Sequence, residues 1–187
     1  MNNIKFCPHC MEKNHYSRSV CLACGNLLEA KNAPELISVN SILVGRYVIG
    51  KALVQNNIHV EYIAYDLMLN MPVVIREYYP RDICSRDHYG IVFPINGKGN
   101  RFLKGRNKFS EQERSLGRMD GRCCAINMLD CFERNGTVYS VREKINGLVL
   151  DPGDVFDFNT VVGQRTSAAG YKGAAAYDGG ETVQTIG

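Results

Sequence analysis

The sequence predicts an α+β protein in three parts: a small cysteine-held segment, a five-stranded antiparallel sheet with one main helix, and a glycine-rich partial domain. Three observations carry this expectation. Four of the eight cysteines, Cys7, Cys10, Cys21 and Cys24, lie near the N-terminus. Between Leu43 and Leu150, β-branched and aromatic runs surround one stretch of helical periodicity. From Asp151 onward the composition changes: seven of the last 37 residues are Gly, and an Ala-Ala-Ala run appears. The parts are residues 1–28, a linker over 29–42, a domain over 43–150 and a segment over 151–187.

The chain is 45% hydrophobic and 22% charged, ordinary for a globular protein. No apolar run approaches the ~20 residues that span a bilayer, so no membrane segment is expected. The N-terminal MNNIKFCPHC lacks the apolar core of a signal peptide, which points to the cytoplasm and to reduced thiols. The net charge of +3 divides into +6 before Asp151 and −3 from Asp151 onward. That bias is too mild to argue for nucleic acid.

The first part is C-x2-C-x10-C-x2-C. Each C-x2-C pair can curl so that both thiolates face one ion, and two such knuckles give a tetrahedral four-thiolate site suited to zinc. Four protein ligands leave no open position, so the expected role is structural. Its binding energy would fold a segment too small to fold alone. Gly25 suits the tight turn after Cys24; Met11, at the equivalent place after Cys10, suits it less well. His9 is expected to point away from the metal, and Lys5, Lys13 and Arg18 can offset the thiolate charge.

The domain reads as three strands, a helix and two strands. RYVIGKAL, VEYIAYDL and PVVIRE supply the first three strands, with a short turn at MLNM. KFSEQERSLGRM places Phe109, Leu116 and Met119 at helical spacing. INMLDCFERNGTVYSVREKI reads as a hairpin, its Asn135-Gly136 pair favouring a type I′ turn. Tyr62, Tyr65, Tyr78 and Tyr79 are expected to pack on the sheet, His59 and His88 to lie in loops, and Cys84, Cys123, Cys124 and Cys131 to be ordinary thiols. In PVVIREYYP, a buried strand ends on Arg76 and Glu77, where apolar residues would be expected.

These strands, the EYYP that follows the third, and the CFERNGTVYSVRE hairpin resemble, in order, the N-terminal lobe of bacterial serine/threonine protein kinases, in particular those carrying a zinc ribbon. The resemblance implies a nucleotide site, and this sequence departs from it. The Gly-rich loop positions are Val54, Asn56 and His59, which would crowd or stiffen a phosphate-binding loop. The strand lysine is Arg76, and the helix acid aligns with Gln112, flanked by Glu111 and Glu113 as candidate salt-bridge partners of Arg76. No His-Arg-Asp or Asp-Phe-Gly motif occurs, so the catalytic base and magnesium ligands are missing from the sequence. Neither ATP binding nor phosphoryl transfer is expected.

The last part resembles the beginning of a VanW-like domain, through Pro152, Gly153, Phe156, Phe158, Asn159, Val162, Gly163, Arg165, Thr166, Gly170, Tyr171 and Lys172. Asp154, Asp157 and Gln164 depart from the family's Glu, Ser and Pro. This resemblance implies a bacterial envelope context linked to glycopeptide resistance. The leading expectation is a non-catalytic regulatory or interaction module, a pseudokinase whose partner, another protein or a second copy, covers the face that a kinase C-lobe would occupy. The alternatives are a peptidoglycan-associated VanW-like protein, a residual ATP-binding protein, and a gene fragment or fusion.

Overall fold

The computed structural model describes residues 3–118 and 127–144. The chain divides into two units, Met1–Asn146 and Gly147–Gly187, and the described residues belong to the first. Met119, Cys123, Cys124 and the VanW-like segment at 151–187 lie outside the described residues.

Chain order begins with a small antiparallel pair, β1 (Ile4–Phe6) and β2 (Lys13–His15). The main sheet starts at β3 (Ile42–Leu43) and continues through β4 (Tyr47–Gln55), β5 (His59–Asp66) and β6 (Met71–Tyr78). A second small hairpin, β7 (Cys84–Arg86) with β8 (Val92–Pro94), precedes α1 (Gly99–Arg118). β9 (Met128–Arg134) and β10 (Thr137–Glu143) then complete an antiparallel six-stranded sheet ordered β3-β4-β5-β6-β10-β9. The expected turn pair is present, with Asn135 at φ 50° and Gly136 at φ 75°.

The mixed α+β architecture matches the expectation, but the sheet has six strands rather than five. The additional strand is the two-residue edge β3, joined to β4 through Val44 at φ 47° and Gly45 at φ 71°. A β-branched residue rarely adopts that conformation, so the turn leaves no ordinary sequence signal. The helix also begins well before the expected Lys108, at Gly99.

Strand register sorts the side chains into two faces. Tyr47, Ile49, Tyr62, Ala64, Val73, Ile75, Tyr139 and Val141 lie on one face and are buried. Leu36, Leu43, Ile83, Cys84 and Val92 join them in one core. The stretch expected as a linker thus contributes to that core, and hydrogen bonds hold it in place. Asn32 Nδ2 donates to the Ile37 and Gly50 carbonyls at 2.8 and 3.0 Å, and Arg86 Nε donates to the Glu35 carbonyl at 3.0 Å. On the other face, α1 packs Phe102 and Phe109 against Tyr78, with ring centroids 5.4 and 5.6 Å apart. Phe102, Phe109 and Glu113 follow helical spacing, and all three are buried.

Candidate functional site

The four N-terminal sulfurs converge: the Sγ atoms of Cys7, Cys10, Cys21 and Cys24 all lie within 4.8 Å of one another. Two equivalent turns produce this. Met11 N donates to the Cys7 carbonyl at 2.9 Å, and Gly25 N donates to the Cys21 carbonyl at 3.0 Å. Both turn residues are left-handed, Met11 at φ 63° and Gly25 at φ 72°. Gly adopts this conformation freely, whereas for Met it costs about 1 kcal/mol. Amide N–H groups support the sulfurs from outside: His9 N lies 3.4 Å from Cys7 Sγ, Asn14 Nδ2 3.5 Å from Cys21 Sγ and Asn26 Nδ2 3.4 Å from Cys24 Sγ. Such donors stabilise thiolate charge, so the chemistry of the site suits a metal ion. His9 is not part of the cluster. Lys5 and Lys13 sit over the rings of Tyr16 and Tyr65, 5.4 and 5.2 Å from their centroids.

The second constellation surrounds Arg76. Its Nη1 donates to Glu113 Oε1 at 2.6 Å, and its Nη2 lies 2.8 Å from His59 Nε2. Its Nε is 2.8 Å from Glu61 Oε1 without hydrogen-bond alignment, so that contact is ionic. The guanidinium also lies over the Phe109 ring, 5.8 Å from its centroid. The other oxygen of Glu113 accepts from Ser140 Oγ at 2.7 Å and from Arg142 Nη2. Glu113 is therefore shared by two arginines while being only 3% exposed. Burial, followed by repulsion from Arg142, lowers the Arg76 pKa from its ordinary value. The hydrogen bond from His59, followed by the nearby Arg76 charge, outweighs burial and holds the Glu61 carboxyl below its ordinary value.

The loop before His59 is closed by its own side chain. Asn56 Oδ1 accepts from the Ile58 and His59 amides, each at 2.9 Å, while Asn56 N donates to the His59 carbonyl at 3.1 Å. Val54 is 47% exposed beside this loop. Of the three helix residues considered for Arg76, Glu113 faces the sheet, whereas Glu111 and Gln112 are exposed.

Glu77, the neighbour of Arg76, points to the opposite face and is fully buried. Tyr62 Oη donates to its Oε2 at 2.9 Å; Tyr139 Oη and Arg86 Nη2 donate to its Oε1 at 2.8 and 2.6 Å. Burial, then the Glu77 charge, raises the pKa of both tyrosines. Three donors thus serve its two oxygens, and such bonding offsets the cost of burying the side chain. Sequence reasoning missed this network and the roles of Glu61, Ser140 and Arg142. The available signal was the polar alternation of Ser140 and Arg142 within β10, with Ser140 opposite Arg76 and Arg142 opposite Val74 in register.

Tyr62, Tyr65, Tyr78 and Tyr79 are buried as expected of sheet-packing residues, and His88 is an exposed loop residue, whereas His59, also expected in a loop, is the half-buried first residue of β5. Burial pushes the Cys84 thiol up to about 12. No helix among the described residues is long and apolar enough to cross a membrane.

Comparison with known proteins finds one family model and solved structures similar to part of the chain. Residues 133–187 match the family model described as VanW like protein. The match begins within β9 and includes all of β10, upstream of the compositional change at Asp151. No curated protein matches the chain. Among solved structures, the apo form of PpkA-294 superposes with a TM-score of 0.57 at 24% identity, covering 60% of this chain and 40% of that one. The chain thus spans less than half the length of that structure, and the likeness is one of fold.

Proposed function

We propose that this chain is a non-catalytic interaction module: a structural zinc ribbon fixed to a pseudokinase-like N-lobe, working in the cytoplasm. The observation that carries this reading is the self-satisfied cluster around Arg76. Phosphate binding needs free cationic groups and open backbone amides. Here Arg76 and Arg142 are balanced by Glu61 and Glu113, and the Asn56 side chain occupies two amides of the adjacent loop. Arg76, at the position of the strand lysine, therefore holds the sheet to the helix through Glu113. The fold likeness to PpkA-294 supports the sheet-and-helix framework but carries no activity with it. A protein partner or a second copy, rather than nucleic acid, is the expected occupant of the face that a C-lobe would cover.

Four thiolates with no open position support zinc as the metal and a structural role for it. Metal analysis of the purified chain is expected to return about one zinc per chain, and millimolar Mg-ATP is expected to leave its melting temperature unchanged. A clear ATP-dependent stabilisation overturns the non-nucleotide reading, because any ligand of the native state raises stability by mass action.

The family match over residues 133–187 favours a second reading, a peptidoglycan-associated protein of the envelope. It predicts retention of the full chain by peptidoglycan fragments, with Arg165 and Lys172 as candidate anion contacts. Equal retention of a chain ending at Lys144 counts against it.

A further inference from the structure

We infer that metal occupancy of the ribbon is transmitted to the main sheet through one plug, the Met11 side chain seated on Gly50. This rests on the metal reading of the four cysteines and adds to it a physical route from the ion to the sheet.

The seat is a defect in β4. Between Ile49 and Ala52 the strand has one more residue than its partner β5, which runs from Ala64 to Tyr62 over the same interval. The extra residue makes a β-bulge at Gly50–Lys51 and leaves backbone groups outside the ladder. Those groups must find partners elsewhere. Lys51 N donates to the Pro8 carbonyl of the first knuckle at 2.8 Å. The Gly50 carbonyl accepts from Asn32 Nδ2 at 3.0 Å, and Ala52 N donates to Asn32 Oδ1 at 3.0 Å. Ribbon and strap together therefore complete the hydrogen bonding of a strand that cannot complete its own.

Gly50 also has a steric role. A Cβ at this position would overlap the Met11 Cε, the Pro8 carbonyl oxygen and Ile63 Cγ2. The missing side chain is thus the socket for Met11, which is 2% exposed and forms a small core with Val48, Ile63 and Tyr65. Phe6 adds a ring contact to Tyr65 at 4.4 Å. Met11 immediately follows a cysteine of the cluster and holds the left-handed turn that aims two sulfurs inward. The same residue therefore closes the knuckle and fills the socket. Its backbone conformation costs energy that glycine would avoid, and the buried side chain offsets that cost. When the metal leaves, the turn loses the ion that draws its two sulfurs together, the plug loses its aim, and the Lys51 amide and the Val48–Ile63–Tyr65 surface open to water.

Hydrogen exchange on the full chain tests this, with the Lys51 amide as reporter and zinc content measured on each sample. In the native chain, stripping the metal with a chelator is expected to speed Lys51 exchange at least ~10-fold, and restoring zinc to reverse it. Met11→Gly keeps four cysteines and relaxes the turn while deleting the plug. It is expected to retain native zinc content yet exchange at Lys51, with metal bound, as fast as the stripped native chain. Met11→Ala truncates the plug and adds no atom beside Gly50 or Pro8, is expected to give the same result, and decides the matter if Met11→Gly loses zinc. Native-like, metal-dependent protection in the deciding variant overturns the plug, as does a native chain whose Lys51 exchange ignores the metal. A native chain that binds no zinc overturns the metal reading itself, a failure seen in metal content before any exchange is measured.

Discussion

Replacing Glu113 should destabilise the chain far more than replacing Arg76, although the two form one ion pair. The Glu113 side chain is only 4% exposed, and its two oxygens serve Arg76, Arg142 and Ser140. Glu113→Ala leaves two guanidiniums near each other with only Glu61 as nearby compensation for Arg76. Removing one side of a buried pair typically costs about 3–5 kcal/mol, and the two orphaned arginines place this case in that range. Arg76→Met leaves Glu113 with Arg142 and Ser140, and leaves Glu61, 25% exposed, able to rehydrate. Its cost should be about 1–2 kcal/mol. Typical domains have about 5–15 kcal/mol in total, so the first variant approaches the folding threshold and the second does not. The sequence has no Trp, so urea unfolding is best followed by far-ultraviolet circular dichroism. Equal losses for the two variants, or a Glu113→Ala loss below about 1 kcal/mol, would refute the hub role given to Glu113.

Acid should unfold the sheet through carboxylates that prefer the charged form. Burial raises the Asp66 carboxyl, but the Arg46 guanidinium and the Leu69 and Met68 amides outweigh it, leaving its pKa below the ordinary 3.8; Glu61 is depressed likewise. Both contributions are full above the unfolded-state value and vanish as pH falls through the lower folded-state values, so urea midpoints should be flat above about pH 5 and fall below about pH 4. Asp66→Asn should lower the midpoint at neutral pH and flatten the acid limb; an unchanged acid limb would remove Asp66 from the account. Arg76→Lys should create neither ATP binding nor phosphoryl transfer, as measured by thermal shift and radiolabelled phosphate incorporation; either activity would overturn the non-catalytic reading. Cys84, 4% exposed with its thiol raised to about 12, should resist alkylation at pH 8 until urea unfolds the chain, because only ~1 in 10,000 thiols is ionised there. Prompt labelling of Cys84 by mass spectrometry would show that its burial is wrong.

Much of the framework was legible because it is local. C-x2-C knuckles, alternating strands and the Asn135-Gly136 turn depend on residues a few positions apart, and each produces its element largely from its own backbone preferences. The buried tyrosines followed from the same alternation. The strap over residues 29–42 was not legible. Its sequence lacks periodicity, and it is held by Asn32 and Glu35 through bonds to distant strands. Glu111 and Glu113 lie about 200° apart around the helix, so the choice between them follows from which face meets the sheet, and that is the face carrying Phe102 and Phe109.

The sequence by itself determined a four-cysteine cluster, a mainly antiparallel sheet with one helix, and a charged end to the third strand. Those features depend on spacing, periodicity and residue chemistry within short windows. Tertiary structure decided what the charges do. Register sends Arg76 to the helix and Glu77 into the opposite core, and each finds partners from strands far away in the chain. It also decided that the ribbon is docked rather than tethered, because a bulge in β4 leaves a socket and an unpaired amide that Met11 and Pro8 fill. Such matches arise only when backbone groups left unsatisfied by one element meet those left by another.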